Sequence, residues 1–384
     1  MSKSYLMINR AHENTIRKKL FQGKTIILLG PRQSGKTTLL QKICNEDDVS
    51  LKWFNADEPD IREMLSNTTS TRLKNLIGNN SLVVIDEAQR IENIGLTLKL
   101  IHDNYPSIQL IASGSSSFEL ANLINEPMTG RKWEFFLYPL SVAELSDHNG
   151  ILEESRLLED RLIFGCYPDV VNHQQERKDI LVQLTDSYLY KDILTWENLK
   201  KPMKLENLLR ALAFQIGSEV SYNELGKICG LDSQTVERYI DLLEKSFIVF
   251  RLGALSRNLR NEIKKSRKIY FFDLGIRNSI INNFNELSLR NDKGQLWENF
   301  LVAERLKHNH YRNIHVNSYF WRTHYQQEID YIEERDGKLY AFEFKWSDSQ
   351  KKKLPSSFRQ AYPNSDFQLI SKENYIDFLI SKPE

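Results

Sequence analysis

The chain has 384 residues, 41% hydrophobic and 27% charged, with 52 Lys+Arg against 51 Asp+Glu and a formal net charge of +1. This ordinary globular composition excludes long disorder, and the length allows two or three domains, each with its own core. Cys44, Cys166 and Cys229 are scattered without a CxxC spacing, which excludes a disulfide framework or thiolate zinc site and fits a reducing cytoplasm.

The N-terminal segment has no apolar stretch of signal-peptide length, and no apolar run approaches the ~18 residues of a membrane span. A soluble cytoplasmic protein without a membrane partner is expected. From Thr25, TIILLG reads as a buried strand, PRQSGKTT as a glycine loop and LLQKIC as a helix start. Apolar runs at 49–54, 82–85 and 108–112 alternate with helix-compatible segments at 60–76 and 91–105. That alternation predicts a parallel sheet covered on both faces.

After Pro139, leucine-spaced helical stretches at 152–164 and 177–194 flank the turn-like GCYPD and read as a helical lid. Residues 205–251 hold three helical runs. The break GLDSQ, with Asp232 or Ser233 as N-cap, gives the last two a helix-turn-helix pattern. A strand follows at 269–272 and a helix at 296–307, then a strand pair, 329–333 and 339–344, around the turn Asp336-Gly337.

The loop Gly30-Pro31-Arg32-Gln33-Ser34-Gly35-Lys36-Thr37, continued by Thr38, matches GxxxxGK[ST] in full. Its glycines let the backbone wrap a β-phosphate, Lys36 reaches the β/γ oxygens, and the Thr37 hydroxyl faces Mg²⁺. About 50 residues on, LVVIDEAQ supplies Asp86 to hold the metal through water and Glu87 to polarise the attacking water. Ser113, or its neighbour Ser115, is the candidate hydroxyl for the γ-phosphate or lytic water. Arg131 is a candidate sensor or arginine finger; acting on a neighbouring subunit, it would require a homo-oligomer.

A second constellation lies in QQEIDYIEERDGKLYAFEFKW. Pairing around Asp336-Gly337 puts Asp330 on the same side as Glu343 and Lys345, because residues two apart share a strand face. Asp-x(12)-Glu-x-Lys is the spacing of metal-dependent phosphodiester cleavage. Asp330 and Glu343 would bind Mg²⁺ or Mn²⁺, Lys345 would orient water, and Glu298 on the preceding helix could add a carboxylate. Residues 251–268 hold seven cations against the single acid Glu262, so the rest of the chain is net negative. Beside the helix-turn-helix, Arg257, Arg260, Lys264 and Lys265 would grip phosphates, with Gln234, Thr235 and Arg238 on the recognition helix reading DNA.

The ordered set GPRQSGKTT, LVVIDEAQR, ASGSSS, GRKWEFFLYPLSVAEL, YLYKDI, YIDLLEKSFIVFRL, KIYFFDLGIRN, LWENFLVAE and EIDYIEERDGKLYAFEFKW resembles a prokaryotic family of AAA-like ATPases over nearly the whole chain. The resemblance implies an α/β fold: an additional-strand P-loop parallel sheet with a catalytic glutamate, matched by Glu87, and a helical lid. A winged helix and a C-terminal α/β domain similar to restriction endonucleases of the PD-(D/E)XK type follow, matched by Glu298, Asp330, Glu343 and Lys345. The expected divisions are 1–145 for the ATPase core, 146–204 for the lid, 205–268 for the winged helix and 269–384 for the nuclease-like domain. The expected activity is Mg²⁺-dependent ATP hydrolysis coupled to a DNA-binding, nuclease-like module. The alternative is an ATP-gated switch that binds DNA or a protein without cutting.

Overall fold

Five short strands, all parallel, build the first sheet: β1 (Thr25–Leu29), β2 (Leu51–Asn55), β3 (Leu82–Asp86), β4 (Gln109–Gly114) and β5 (Lys132–Phe136), in the order β2-β3-β4-β1-β5. The computed structural model describes residues 7–45, 49–115, 124–186, 202–256, 267–323, 325–347 and 353–381. The chain forms two units: residues 9–139 with 245–247 make the first, and the remainder makes the second.

In the first unit every residue of β1, β3 and β4 is buried, as a sheet covered on both faces requires. Helices α1 (Glu13–Lys19), α2 (Lys36–Asn45), α3 (Pro59–Leu65), α4 (Ser70–Ile77) and α5 (Ile94–Asn104) complete it. Ile16 of α1 and Leu39, Leu40 and Ile43 of α2 join Ile26, Leu28, Leu82, Val84 and Ile111 in one core. The parallel sheet meets the expectation from sequence. The helix expected over 60–76 is instead two, because Asn67 turns left-handed (φ 47°) and the Thr69 hydroxyl caps the second helix by accepting the Arg72 N–H. The edge strand β5 has no counterpart among the predicted elements.

The second unit begins with helices α6 (Val142–Asn149), α7 (Ile151–Arg156), α8 (Leu158–Phe164), α9 (Pro168–Asn172) and α10 (Arg177–Thr185). The helix expected at 152–164 breaks at Leu157, and that expected at 177–194 is seen over Arg177–Thr185, its remainder falling in residues 187–201, which lie outside the described residues. Next come α11 (Pro202–Phe214), β6 (Glu219–Val220), α12 (Tyr222–Cys229), α13 (Ser233–Lys245), β7 (Val249–Ala254) and β8 (Arg267–Phe271). Asp232 is the N-cap of α13: its carboxylate accepts the Thr235 N–H at 2.8 Å and the Thr235 hydroxyl at 2.7 Å, which hold its pKa below the usual range.

The chain closes with α14 (Leu274–Ile280), α15 (Lys293–Tyr311), β9 (Asn317–Arg322), β10 (Glu328–Arg335), β11 (Lys338–Phe344), α16 (Ser356–Ala361), β12 (Ser365–Ile370) and α17 (Tyr375–Ile380). The turn between β10 and β11 is the expected Asp336-Gly337, both with positive φ, and the strands pair antiparallel with Tyr331 opposite Phe342. A seven-stranded sheet of order β12-β11-β10-β9-β7-β8-β6 results, because β7 runs parallel to β9. Among the described residues no helix is long and apolar enough to cross a membrane.

Candidate nucleotide-binding site

The carboxyl ends of β1, β3 and β4 lie side by side in the first sheet, and each delivers one piece of the site. From β1 the chain enters the glycine loop. A side chain at Gly30 would collide with the carbonyl oxygen of Leu137, and Gly35 takes a φ of 91°, so both positions need glycine. The loop feeds directly into α2, whose first residue is Lys36. The N–H groups of the helix start and the helix dipole therefore face the loop.

Lys36 is buried, and its ammonium donates to the carbonyls of Gly30 at 2.9 Å and Pro31 at 2.8 Å. Burial lowers its pKa to about 8 despite the opposing fields of Glu87 and Asp86. Ser34 is buried with its hydroxyl on the Pro31 carbonyl at 2.8 Å, whereas Gln33, Thr37 and Thr38 are exposed and Arg32 is half-buried.

The end of β3 meets this loop. Thr37 Oγ1 donates to Asp86 Oδ2 at 2.9 Å, while the other Asp86 oxygen accepts the hydroxyl of buried Ser113 at the end of β4. Ser113 therefore orients Asp86. Glu87 follows in the left-handed region (φ 53°), a conformation that costs a non-glycine residue about 1 kcal/mol or more and is concentrated at functional sites. Its carboxylate accepts Gln89 Nε2 at 2.7 Å, and the same amide reaches Ser115 Oγ at 2.9 Å. The hydroxyl and carboxylate of Thr37 and Asp86 are hard oxygen donors that suit Mg²⁺, and the cationic loop suits nucleotide phosphates. Bound Mg²⁺ would neutralise phosphate charge; Lys36 and the loop amides would hold the phosphates, and Glu87 would take a proton from water.

Of two further arginines, one bears on the site. Arg10 reaches the loop: its guanidinium donates to the Ser34 carbonyl and, at 2.6 Å, to the Tyr138 carbonyl. No local motif announces Arg10, whose bonds to Ser34 and Tyr138 span 24 and 128 residues. Arg131 is not brought to the site within this chain. It precedes Lys132, which pairs with Thr25 at the amino end of β1, away from the carboxyl end that bears the glycine loop, and its guanidinium bonds Asp103 at 2.8 Å.

With this geometry, the comparisons with other proteins are specific. Residues 22–146 match the model of a family described as an AAA domain. The protein is an ATPase. The ATPase also matches two domains of unknown function, DUF8612 over 155–287 and DUF4143 over 293–380. Uncharacterized proteins of Mycobacterium tuberculosis and Mycobacterium bovis are each 28% identical to it over 342 residues, 86% of this chain and 72% of theirs. An uncharacterized protein of Haemophilus influenzae is 23% identical over 282 residues, 66% of this chain and 68% of its own. Among solved structures, a Walker-type ATPase of Pyrococcus abyssi aligns with a TM-score of 0.50 at 15% identity, covering 72% of this chain and 96% of that one, a likeness of fold.

In the second unit the ATPase gathers Glu298, Asp330, Glu343 and Lys345 as their spacing predicts. Burial and the charges of Glu298 and Glu343, against Lys268, raise the Asp330 pKa to about 8. Asp330 Oδ2 accepts the Phe344 N–H at 2.8 Å, and Lys345 pairs with Glu343 at 2.8 Å. The pairing of β9 with β10 shifts register between Ile329 and Ile332, so Asp330 sits in a β-bulge, a device that re-aims side chains. Lys268, counted from sequence among the seven cations of the basic segment, instead carries its ammonium into this cluster. Among the described residues no three His, Cys, Asp or Glu side chains form a group that could hold a metal ion.

The basic segment divides. Arg251 pairs with Asp241 at 2.6 Å and with Glu244, Arg267 with Glu237 at 3.4 Å, and Lys268 with Glu298 and Glu328. These three cations are committed to neighbouring carboxylates. Arg257, Arg260, Lys264 and Lys265 lie outside the described residues. On α13, Gln234 and Arg238 are exposed and Thr235 is partly spent on its cap.

Proposed function

We propose that this ATPase is a nucleotide-driven switch whose second unit binds DNA. The observation that carries the reading is the linked set Lys36, Thr37, Asp86, Glu87 and Ser113, which joins a phosphate-binding loop to an acid and an oriented base. Hydrolysis would alternate the protein between states of different affinity for the second ligand, as any nucleotide switch requires differential binding.

Support for DNA comes from the order α11, β6, α12, α13, β7, β8 with β8 between β6 and β7, an order that is consistent with a winged-helix reading. The exposed Gln234 and Arg238 would face bases, and Arg257, Arg260, Lys264 and Lys265, between β7 and β8, would form the basic wing on phosphates. The quartet Glu298, Asp330, Glu343 and Lys345 on a helix and two adjacent strands supports a fold similar to PD-(D/E)XK nucleases. Of the two readings of that fold, binding without cleavage is favoured by Lys268, a buried cation paired with Glu298 and Glu328 beside Asp330. Arg131, acting on a second copy, would be the finger of a homo-oligomer, and a cytoplasmic location fits this chemistry.

The test is duplex DNA binding by fluorescence anisotropy with Mg²⁺ and ATP, with ADP, and without nucleotide. Affinities differing at least ten-fold between nucleotide states support the switch. Equal affinities, or no binding in any state at low salt, contradict it.

A further inference from the structure

Lys268 is the second residue of β8, with only 1% of its surface exposed, and points its ammonium into the carboxylate cluster of the second unit. Its Nζ lies 2.8 Å from Glu298 Oε1 and 2.6 Å from Glu328 Oε1. Tyr270, two residues on and therefore on the same strand face, donates its hydroxyl to the same Glu298 oxygen at 2.6 Å. The Phe320 ring lies 5.4 Å from the ammonium. Burial opposes the charge, but Glu298, Glu328 and Asp330 outweigh it and raise the lysine's pKa.

We infer that Lys268 is the resident cation of this cluster, standing where a divalent metal would stand and keeping Mg²⁺ and Mn²⁺ out of it. The inference rests on reading the second unit as nuclease-like. Every carboxylate of the set already has a donor on one oxygen: Glu298 from Lys268 and Tyr270, Glu328 from Lys268, Asp330 from the Phe344 N–H, and Glu343 from Lys345. A divalent ion at Glu298 or Glu328 would have to compete with a buried ammonium for the same oxygens, and one at Asp330 would endure its repulsion, because both cations need the carboxylates within about 3 Å. A buried lysine held by two carboxylates has no solvent to retreat into. The carboxylates then keep a nuclease-like arrangement while the lysine supplies structural neutralisation, and the surface over them is free to hold a phosphate backbone without cutting it.

The probe is Mn²⁺ alone, titrated by electron paramagnetic resonance into the nucleotide-free full chain as wild type, Asp330→Asn, Lys268→Met and the double variant. The expected result is that wild type and Asp330→Asn give superimposable isotherms. Lys268→Met should gain one Mn²⁺ per chain, at least ten-fold tighter than any site in wild type, and the double variant should lose it. A wild-type Mn²⁺ site removed by Asp330→Asn overturns the inference, and so does a folded Lys268→Met that gains none. Should Lys268→Met fail to fold, the wild-type and Asp330→Asn pair decides alone. DNA binding measured on the same samples keeps the two conclusions apart, because its absence removes the switch and leaves the Mn²⁺ result standing.

Discussion

Thr37 donates its hydroxyl to Asp86 at 2.9 Å, closing the 49-residue gap between the glycine loop and the end of β3. That bond turns two separate motifs into one site: a hydroxyl and a carboxylate side by side beneath the loop that holds Lys36. Ser113 fixes the other oxygen of Asp86, so the acid has one orientation. Three parallel strands meet there, which is where open α/β sheets place their ligands.

Lys36 makes nucleotide binding sensitive to pH. Burial puts its pKa at about 8, and a bound polyphosphate favours the protonated form. Binding above that pH must therefore take up a proton, so ATP affinity falls as pH rises from 7 to 9, approaching ten-fold per unit beyond 8. Calorimetry in two buffers of different ionisation enthalpy measures the uptake directly. Identical heats at pH 8.5 contradict it.

Arg10 positions the loop through the Ser34 and Tyr138 carbonyls. Arg10→Ala should raise the KM for ATP about ten-fold, equivalent to about 1.4 kcal/mol, with a smaller loss in kcat. Arg10→Lys, which keeps one donor and the charge, should recover part of it. Steady-state kinetics checks both, alongside melting curves to separate loop placement from general destabilisation.

How much of this was legible in sequence depended on the range over which residues act. The glycine loop, the DE after a buried strand and the hairpin turn Asp336-Gly337 are local patterns, and each lies where its pattern implies. Arg10, Gln89 and Lys268 act through partners brought near by folding, and a single lysine in a basic segment gives no sign that it faces inward. The charge run misled for that reason: Arg251, Arg267 and Lys268 counted toward a DNA-binding surface, yet all three are spent on carboxylates of the same unit. The break at Asn67 was missed because the apolar spacing continues through it, and the left-handed turn depends on one residue's backbone.

DNA binding should separate the cations of the basic segment. Replacing Arg260, Lys264 and Lys265 by alanine should weaken affinity for any sequence and lower the salt slope by about 0.9 per lost phosphate contact. Arg251→Ala should instead lower stability, because Asp241 and Glu244 lose their partner, and leave the salt slope unchanged. Anisotropy titrations across a range of KCl concentrations distinguish the two classes.

Acid should loosen the second unit through His308. Burial, with Arg305 and Arg312 nearby, lowers its pKa to about 4. The folded state thus binds fewer protons than the unfolded state between pH 4 and 6.5, and stability falls as pH drops through that window. The loss is on the order of 2 kcal/mol. Denaturant midpoints from pH 7 to 4 should fall less steeply for His308→Gln than for wild type; equal slopes would remove His308 as the cause.

The most direct test of the nucleotide site is steady-state phosphate release from Mg²⁺-ATP by wild type, Lys36→Ala and Glu87→Gln, with nucleotide binding measured on the same samples. Wild type should turn over, Glu87→Gln should do so at least 100-fold more slowly with ATP still bound, and Lys36→Ala should show neither binding nor turnover. Turnover in Lys36→Ala or Glu87→Gln equal to wild type would contradict the roles assigned to both residues.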